Sequence, residues 1–364
     1  MSEQEKPDEP ETAGAEAGAS RPSGLGTPAP HRGPRDPVAD RAVHALARLF
    51  LLFFRYSPGP LARWVARRMG DLAYLLSARY RSQMVRHMEI AFRGELSREA
   101  RLRLCRRNFQ HLGLFLAEFS RMHWLTRGNV ERLVDLSQTR VLDEQLAKGR
   151  GLIAVPAHLG NWELCGYAAA VKGYPLKSVA RPLDNPLIND MVDQIRQTAG
   201  NEILHKWQVL WKLKKLLDKG AIVTMSVDQN GGLGGVFAPL FGVLSSTIPS
   251  PAELHLATRA PIIVCTLNRQ PDGVRHVFHV WDVIEFEKTG DYEADRLAIV
   301  TRINQAYERA VRAYPEQWLW VHKRWKTRPP GEEPGPDGLP PRRQGERQGE
   351  RRKEKGEGQN GPAP

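Results

Sequence analysis

The 364-residue sequence predicts an α/β fold in which a mixed central sheet is flanked by helices, with a membrane-associating helical region in front of it. Three observations carry this. From residue 150 onward, short apolar runs alternate with helical stretches, the pattern of strands and helices packed in layers. Residues 41–125 read as helix with apolar and arginine-rich faces. Both ends are rich in Pro, Gly and charge and nearly devoid of large apolar side chains, so neither buries enough surface to offset the entropy of ordering it.

Residues 1–40 form a disordered tail on this reading, acidic at its start and without the apolar core of a secretory signal. Residues 41–125 are the helical region. Its stretch 42–54 (AVHALARLFLLFF) is apolar but holds His44 and Arg48, and it is shorter than the roughly 20 residues that cross a bilayer. Arg41, Arg55, Arg63, Arg67 and Arg68, with Tyr56 and Trp64 beside them, suit a helix lying at an anionic membrane surface; a core-packing helix is the other reading. Pro58-Gly59-Pro60 breaks the chain. A helix from Ser97 follows, with Leu102, Cys105, Phe109, Leu112, Leu116 and Phe119 in one stripe, and Arg101, Arg103, Arg106 and Arg107 turned to lipid, a carrier or water.

Residues 126–329 form the α/β domain. Strands are predicted over 152–155, 176–180, 221–227, 262–267 and 274–283, and helices over 163–171, 187–198, 209–217 and 293–314. Ser250-Pro251-Ala252-Glu253 has the form of a capping box with Pro at the first helical position. Residues 330–364, including the mixed-charge run from Arg342 to Arg347, are predicted to be a loose charged tail.

Of the 53 Lys/Arg and 41 Asp/Glu, the two tails hold 11 and 15, which leaves the core 42 basic and 26 acidic residues and a net charge of +16. Such a field attracts anionic lipid or an acidic carrier protein. Nucleic acid is not expected, because no helix-turn-helix, zinc-finger or RNA-binding signature is present. Cys105, Cys165 and Cys265 are odd in number, far apart and in apolar settings, which argues against a disulfide framework or metal cluster and for a reducing compartment.

The chemistry concentrates in Ala157-His158-Leu159-Gly160-Asn161-Trp162-Glu163, directly after the apolar run Leu152–Val155 and Pro156. His158 stands at a strand's end and Asn161 at the cap of the next helix. An imidazole there can take a proton from a hydroxyl, with Glu163 holding its tautomer, and the backbone N–H groups of Gly160 and Asn161 at the helix start are candidates to face a developing oxyanion. A hydrogen-bonded structural histidine is the alternative. Arg181, after a strand and before Pro182, either holds an anionic group of a substrate or pairs with Asp184; Asp228 either orients Arg181 or the acceptor, or serves a turn. His322 and Arg324, interleaved with Trp318, Trp320 and Trp325, are secondary candidates for a headgroup interface or for a buried-Trp segment with surface charge. Neither a metal nor a cofactor is required, and no Ser or Cys has a nucleophile-elbow context.

HLGNWE resembles the H-x4-D/E block of glycerolipid-type acyltransferases, in the form found in the lipid A biosynthesis acyltransferase family. Ala180–Pro186, Val227–Asn230 followed by Phe241-Gly242 and Ser246-Thr247, and Trp320–Pro329 match that family in order, so the resemblance spans about residues 41–329. It implies transfer of a fatty acyl chain from acyl carrier protein, or from an acyl-CoA thioester, to a hydroxyl of a lipid A precursor or related glycolipid. It further implies His158 as base with Glu163, no cofactor, and residence at the cytoplasmic face of the inner membrane. A lysophospholipid or phosphatidylinositol mannoside acyltransferase, and a non-catalytic membrane-binding protein, are the competing readings.

Overall fold

The computed structural model describes residues 37–205 and 210–341; residues 1–36 of the tail expected over 1–40, residues 342–364 of that expected over 330–364, and Val209 at the start of its predicted helix lie outside them, while residues 37–40 are helical rather than part of a tail. Four helices open the chain: α1 (Pro37–Tyr56), α2 (Gly59–Leu76), α3 (Ala78–Phe92) and α4 (Arg98–Arg121). The Pro58-Gly59-Pro60 break separates α1 from α2, and Ser97 caps α4 by accepting from the Ala100 N–H at 3.2 Å. Helices α2 and α4 cross backbone to backbone. A Cβ on Gly70 would lie 2.5 Å from the Phe109 carbonyl and one on Gly113 would lie 2.3 Å from that of Ala66, so only glycine permits this approach. The apolar stripe of α4 is partly displaced from its expected face: Leu116 is exposed, whereas Asn108, His111, Leu114 and Phe115 are buried. Among the described residues no helix is long and apolar enough to cross a membrane.

After the short strand β1 (Val134–Asp135) and helix α5 (Arg140–Leu146), strands and helices alternate. They run β2 (Leu152–Gly160), α6 (Trp162–Lys172), β3 (Leu176–Ala180), α7 (Pro186–Gln197), β4 (Glu202–His205), α8 (Leu210–Asp218) and β5 (Ile222–Thr224). The hairpin β6 (Val236–Leu240) and β7 (Val243–Thr247), α9 (Ser250–Thr258), β8 (Ile262–Arg269), β9 (His276–Ile284) and α10 (Tyr292–Ala313) complete the order. Seven strands form one mixed sheet in the order β1-β9-β8-β2-β5-β3-β4, parallel except where β8 meets β9. Helices cover both faces. Alternation along the strands sorts the core: Ile153, Val155, Ala157 and Leu159 join the side holding α9 and α10, while Leu152 and Ala154 join the side holding α5 and α6.

The sequence reading missed the hairpin and the short edge strands. Strand β6 carries Pro239, and Ser245-Ser246-Thr247 of β7 are polar yet fully buried, because Asn304 and Arg324 hydrogen-bond this hairpin from the side. The capping box at Ser250 does not form: Pro249 occupies the cap position without a side-chain bond, and Glu253 pairs with Arg296 at 3.3 Å. The first twelve residues of the expected C-terminal tail pack onto the body. Leu339 is buried, Asp337 pairs with the buried Arg86 at 2.9 Å, and Arg86 also donates to the Pro340 carbonyl.

Candidate active site

Of the nine residues of β2, His158 alone is not buried. The strand runs into α6 through Gly160, whose φ of +71° and close approach to β8 exclude any side chain, since a Cβ would lie 1.9 Å from the Leu267 carbonyl. Asn161 then caps α6, its Oδ1 accepting from the Leu164 N–H at 2.9 Å.

Parallel pairing of β2 with β5 sets a constant offset of 70 residues, Leu152 against Ile222 and Ala154 against Thr224, and the same offset brings Asp228 to His158. The Asp228 carboxylate takes His158 twice: Oδ1 lies 2.6 Å from the ring Nδ1, and Oδ2 accepts the His158 backbone N–H at 2.8 Å. Trp318 donates its indole N–H to Oδ2 at 2.9 Å. Burial alone would push the Asp228 carboxyl up, but His158 and these hydrogen bonds outweigh it and hold the group below the ordinary carboxylate range. An ionised carboxylate can only accept, so the ring proton sits on Nδ1 and His158 Nε2 carries a free lone pair. Burial likewise lowers the imidazole, yet the Asp228 charge and hydrogen bond, with Glu163 adding to them, raise it above its usual value.

The residue expected to orient His158 is turned elsewhere. Glu163 receives both arms of the Arg196 guanidinium, at 2.7 and 2.8 Å, and so ties the first turn of α6 to α7; its charge reaches His158 only through space. Asp228 holds the ring in its place. Arg181 and Asp228 are not brought together: the Arg181 side chain is 63% exposed, 3.8 Å from Asp184, outside the crevice that His158 lines. Gly160 and Asn161 serve the fold. The Asn161 N–H donates to the Leu267 carbonyl at 2.8 Å, and its side-chain amide donates to Glu118 at 2.7 Å, so the backbone donor expected to face an oxyanion is committed to β8.

Behind that turn lies a buried charged cluster. Arg269 forks onto Glu118 at 2.6 and 2.7 Å and donates to His111 Nδ1 at 2.6 Å, and His111 Nε2–H in turn meets the Gly160 carbonyl at 3.1 Å. Since the guanidinium only donates, it fixes the His111 proton on Nε2. A sequence signal for this cluster existed: Asn108, His111 and Glu118 share one face of α4 at helical spacing, polar positions among apolar ones.

In front, the crevice is lined by His158, Asp228, Gln229, Trp318, Leu319, His322 and Arg324. The C-terminal segment closes it: the Leu319 N–H donates to the His158 carbonyl at 2.9 Å and Leu159 bridges Trp318. His322 Nε2 accepts the backbone N–H of Asn230 at 2.8 Å, and burial pulls this imidazole down to about 4. Arg324 is fully buried, bonded to the Ser246 carbonyl and, at 2.6 Å, to Thr247, and burial pulls it down to about 10. Among the described residues no group of His, Cys, Asp or Glu is arranged to hold a metal ion.

A carboxylate-held imidazole at the end of a central strand, beside a helix start and on a narrow crevice, fits the class of O-acyltransferases. The chain belongs to the bacterial lipid A biosynthesis acyltransferase family, whose model matches residues 37–327, and it is an O-acyltransferase. It is 26% identical over 277 residues to the lipid A biosynthesis palmitoleoyltransferase of Escherichia coli (strain K12), covering 76% of this chain and 88% of that protein. Over 265 residues it is 26% identical to the lipid A biosynthesis lauroyltransferase of the same organism, covering 72% and 84%. A phosphatidylinositol mannoside acyltransferase of Mycolicibacterium smegmatis is 21% identical over 229 residues, covering 61% and 72%. These relatives support acyl transfer to lipid A or a glycolipid.

Proposed function

We propose that this enzyme moves a fatty acyl chain from an acyl carrier protein thioester to a hydroxyl of a lipid A precursor, with His158 as general base. The pairing of Asp228 with His158 Nδ1 carries the reading, because it leaves Nε2 bare toward the crevice. His158 Nε2 takes the hydroxyl proton as the oxygen bonds to the thioester carbon. The C–S bond then breaks, the departing thiolate receives that proton from the imidazolium, and an ester and a free thiol result. Asp228 stays ionised and stabilises the imidazolium.

The net charge of +16 over the core and the exposed Arg103 and Arg107 of α4 support an acidic carrier protein. Exposed Leu46, Leu49 and Phe53 on α1, and Leu61, Trp64 and Leu72 on α2, interleaved with arginines, support docking on an anionic membrane surface, with the enzyme at the cytoplasmic face of the inner membrane. The mannoside acyltransferase relative supports related glycolipids as acceptors.

The test incubates the purified chain with labelled acyl carrier protein and acyl-CoA thioesters and a panel of lipid A precursor, mannoside and lysophospholipid acceptors. His158→Ala is expected to lower acyl transfer by about 10²–10⁴-fold. Transfer surviving that substitution refutes the base, and transfer to lysophospholipid alone refutes the acceptor.

A further inference from the structure

We propose that His322 is a second functional imidazole of the crevice, a neutral ring whose Nδ1–H donates to the thioester carbonyl oxygen as that oxygen becomes negative. The inference rests on the acyl-transfer reading above. Its basis is a tautomer argument. The Asn230 backbone N–H, 2.8 Å from His322 Nε2, is a donor and nothing else, so Nε2 must present its lone pair and the ring's single proton must sit on Nδ1. Nδ1 has no hydrogen-bond partner among the described residues, and the ring lines the crevice with His158, Asp228 and Trp318.

One short segment therefore sets two imidazoles in opposite tautomers. Asp228 grips His158 at Nδ1 and leaves Nε2 to accept a proton; two residues on, Asn230 grips His322 at Nε2 and leaves Nδ1 to donate a hydrogen bond. Asn230 is itself anchored, its side-chain amide donating to Thr327 at 2.9 Å. Burial holds the His322 ring far below its usual range, at about 4, so it stays neutral wherever His158 is an effective base. A neutral imidazole is a suitable electrophile, since it supplies a directed N–H without giving its proton away. Two neighbouring donors are already committed, the Trp318 indole to Asp228 and the terminal nitrogens of Arg324 to Ser246 and Thr247. In the reaction the carbonyl oxygen gains charge as the new C–O bond forms and returns it as the C–S bond breaks. His322 keeps its proton throughout, and proton transfer runs through His158.

The experiment uses the full chain with an acyl carrier protein thioester and the glycolipid acceptor that the wild-type chain acylates. His322→Phe is expected to lower kcat by about 10²–10³-fold with KM within about twofold, the loss typical of one oxyanion donor. His322→Asn, whose amide places an N–H near the lost Nδ1, is expected to recover tenfold or more. The acid limb of the pH–rate profile, set by His158, should not move in either. Nitrogen-15 NMR of the labelled imidazole at pH 7 should show His322 protonated on Nδ1 alone, a reading independent of whether the Phe variant folds. An Nε2–H tautomer, or kcat for His322→Phe within threefold of wild type while His158→Ala is inactive, overturns this inference and leaves the base intact. Full activity of His158→Ala overturns the underlying reading instead.

Discussion

On the crevice side of the turn at residues 158–161, a carboxylate, two imidazoles and an indole leave one lone pair and one N–H uncommitted. On the α4 side, Glu118, Arg269 and His111 use similar groups to pair charge with charge and to hold Asn161 and the Gly160 carbonyl. The contrast is one of completeness. A buried cluster whose charges are matched braces the backbone, while one that leaves a lone pair and an N–H without partners is free to do chemistry. The turn is shared, so the bracing side fixes where the reactive side points.

Breaking the bracing side should cost stability most. Glu118→Leu strands the Arg269 guanidinium, only 6% exposed, and removes the acceptor of the Asn161 amide, so unfolding in urea should report a loss of about 3–5 kcal/mol. An unchanged midpoint would show that the cluster does not bear on stability. On the crevice side, Asp228→Asn should leave the chain folded but lower kcat/KM by about 10²-fold and move the acid limb of its pH profile downward, because the carboxylate that raises His158 is gone. The accompanying stability has a definite sign. Asp228 is lowered, so its contribution exists above the ordinary carboxylate range near 4 and fades as pH falls; His158 is raised, so its contribution exists below about 6.5 and fades as pH rises through its folded value. Wild type should therefore exceed Asp228→Asn in stability mainly between about pH 4 and 6.5, and a difference that grows steadily above that window would contradict the pairing. The smallest effect belongs to neither side: Arg181→Ala, with its exposed 3.8 Å pair, should change stability by less than about 0.5 kcal/mol, and a larger loss would place Arg181 in the fold's support.

The strand-to-helix turn was legible because its signals are local: an apolar run, then a cap three residues before the N–H that it accepts. The partner of His158 was not. Glu163 is five residues away in sequence, but in the first turn of α6 it faces Arg196 on α7, whereas Asp228, 70 residues on, arrives through strand register. Register is a tertiary property, and the short run around β5 carries no local mark of which strand it joins. The hairpin β6–β7 escaped for a related reason, since its buried hydroxyls pattern as loop until Arg324 and Asn304 are set against them. The apolar faces of α1 and α2 were legible as composition, and they remain uncovered in the folded chain.

The closure of β2 by the segment at residues 318–322 has a consequence for biogenesis. His158 leaves the ribosome 160 residues before Trp318, and synthesis at about 5–20 residues per second separates the two by roughly 8–32 seconds. Once Asp228 has followed, 70 residues after His158, the nascent chain holds its base and its carboxylate but still lacks the indole bond to Asp228, the Leu319 bond to the His158 carbonyl and the His322 ring. The enzyme is thus armed by its own last folded stretch, and a ribosome that stops early releases a polypeptide without a finished site.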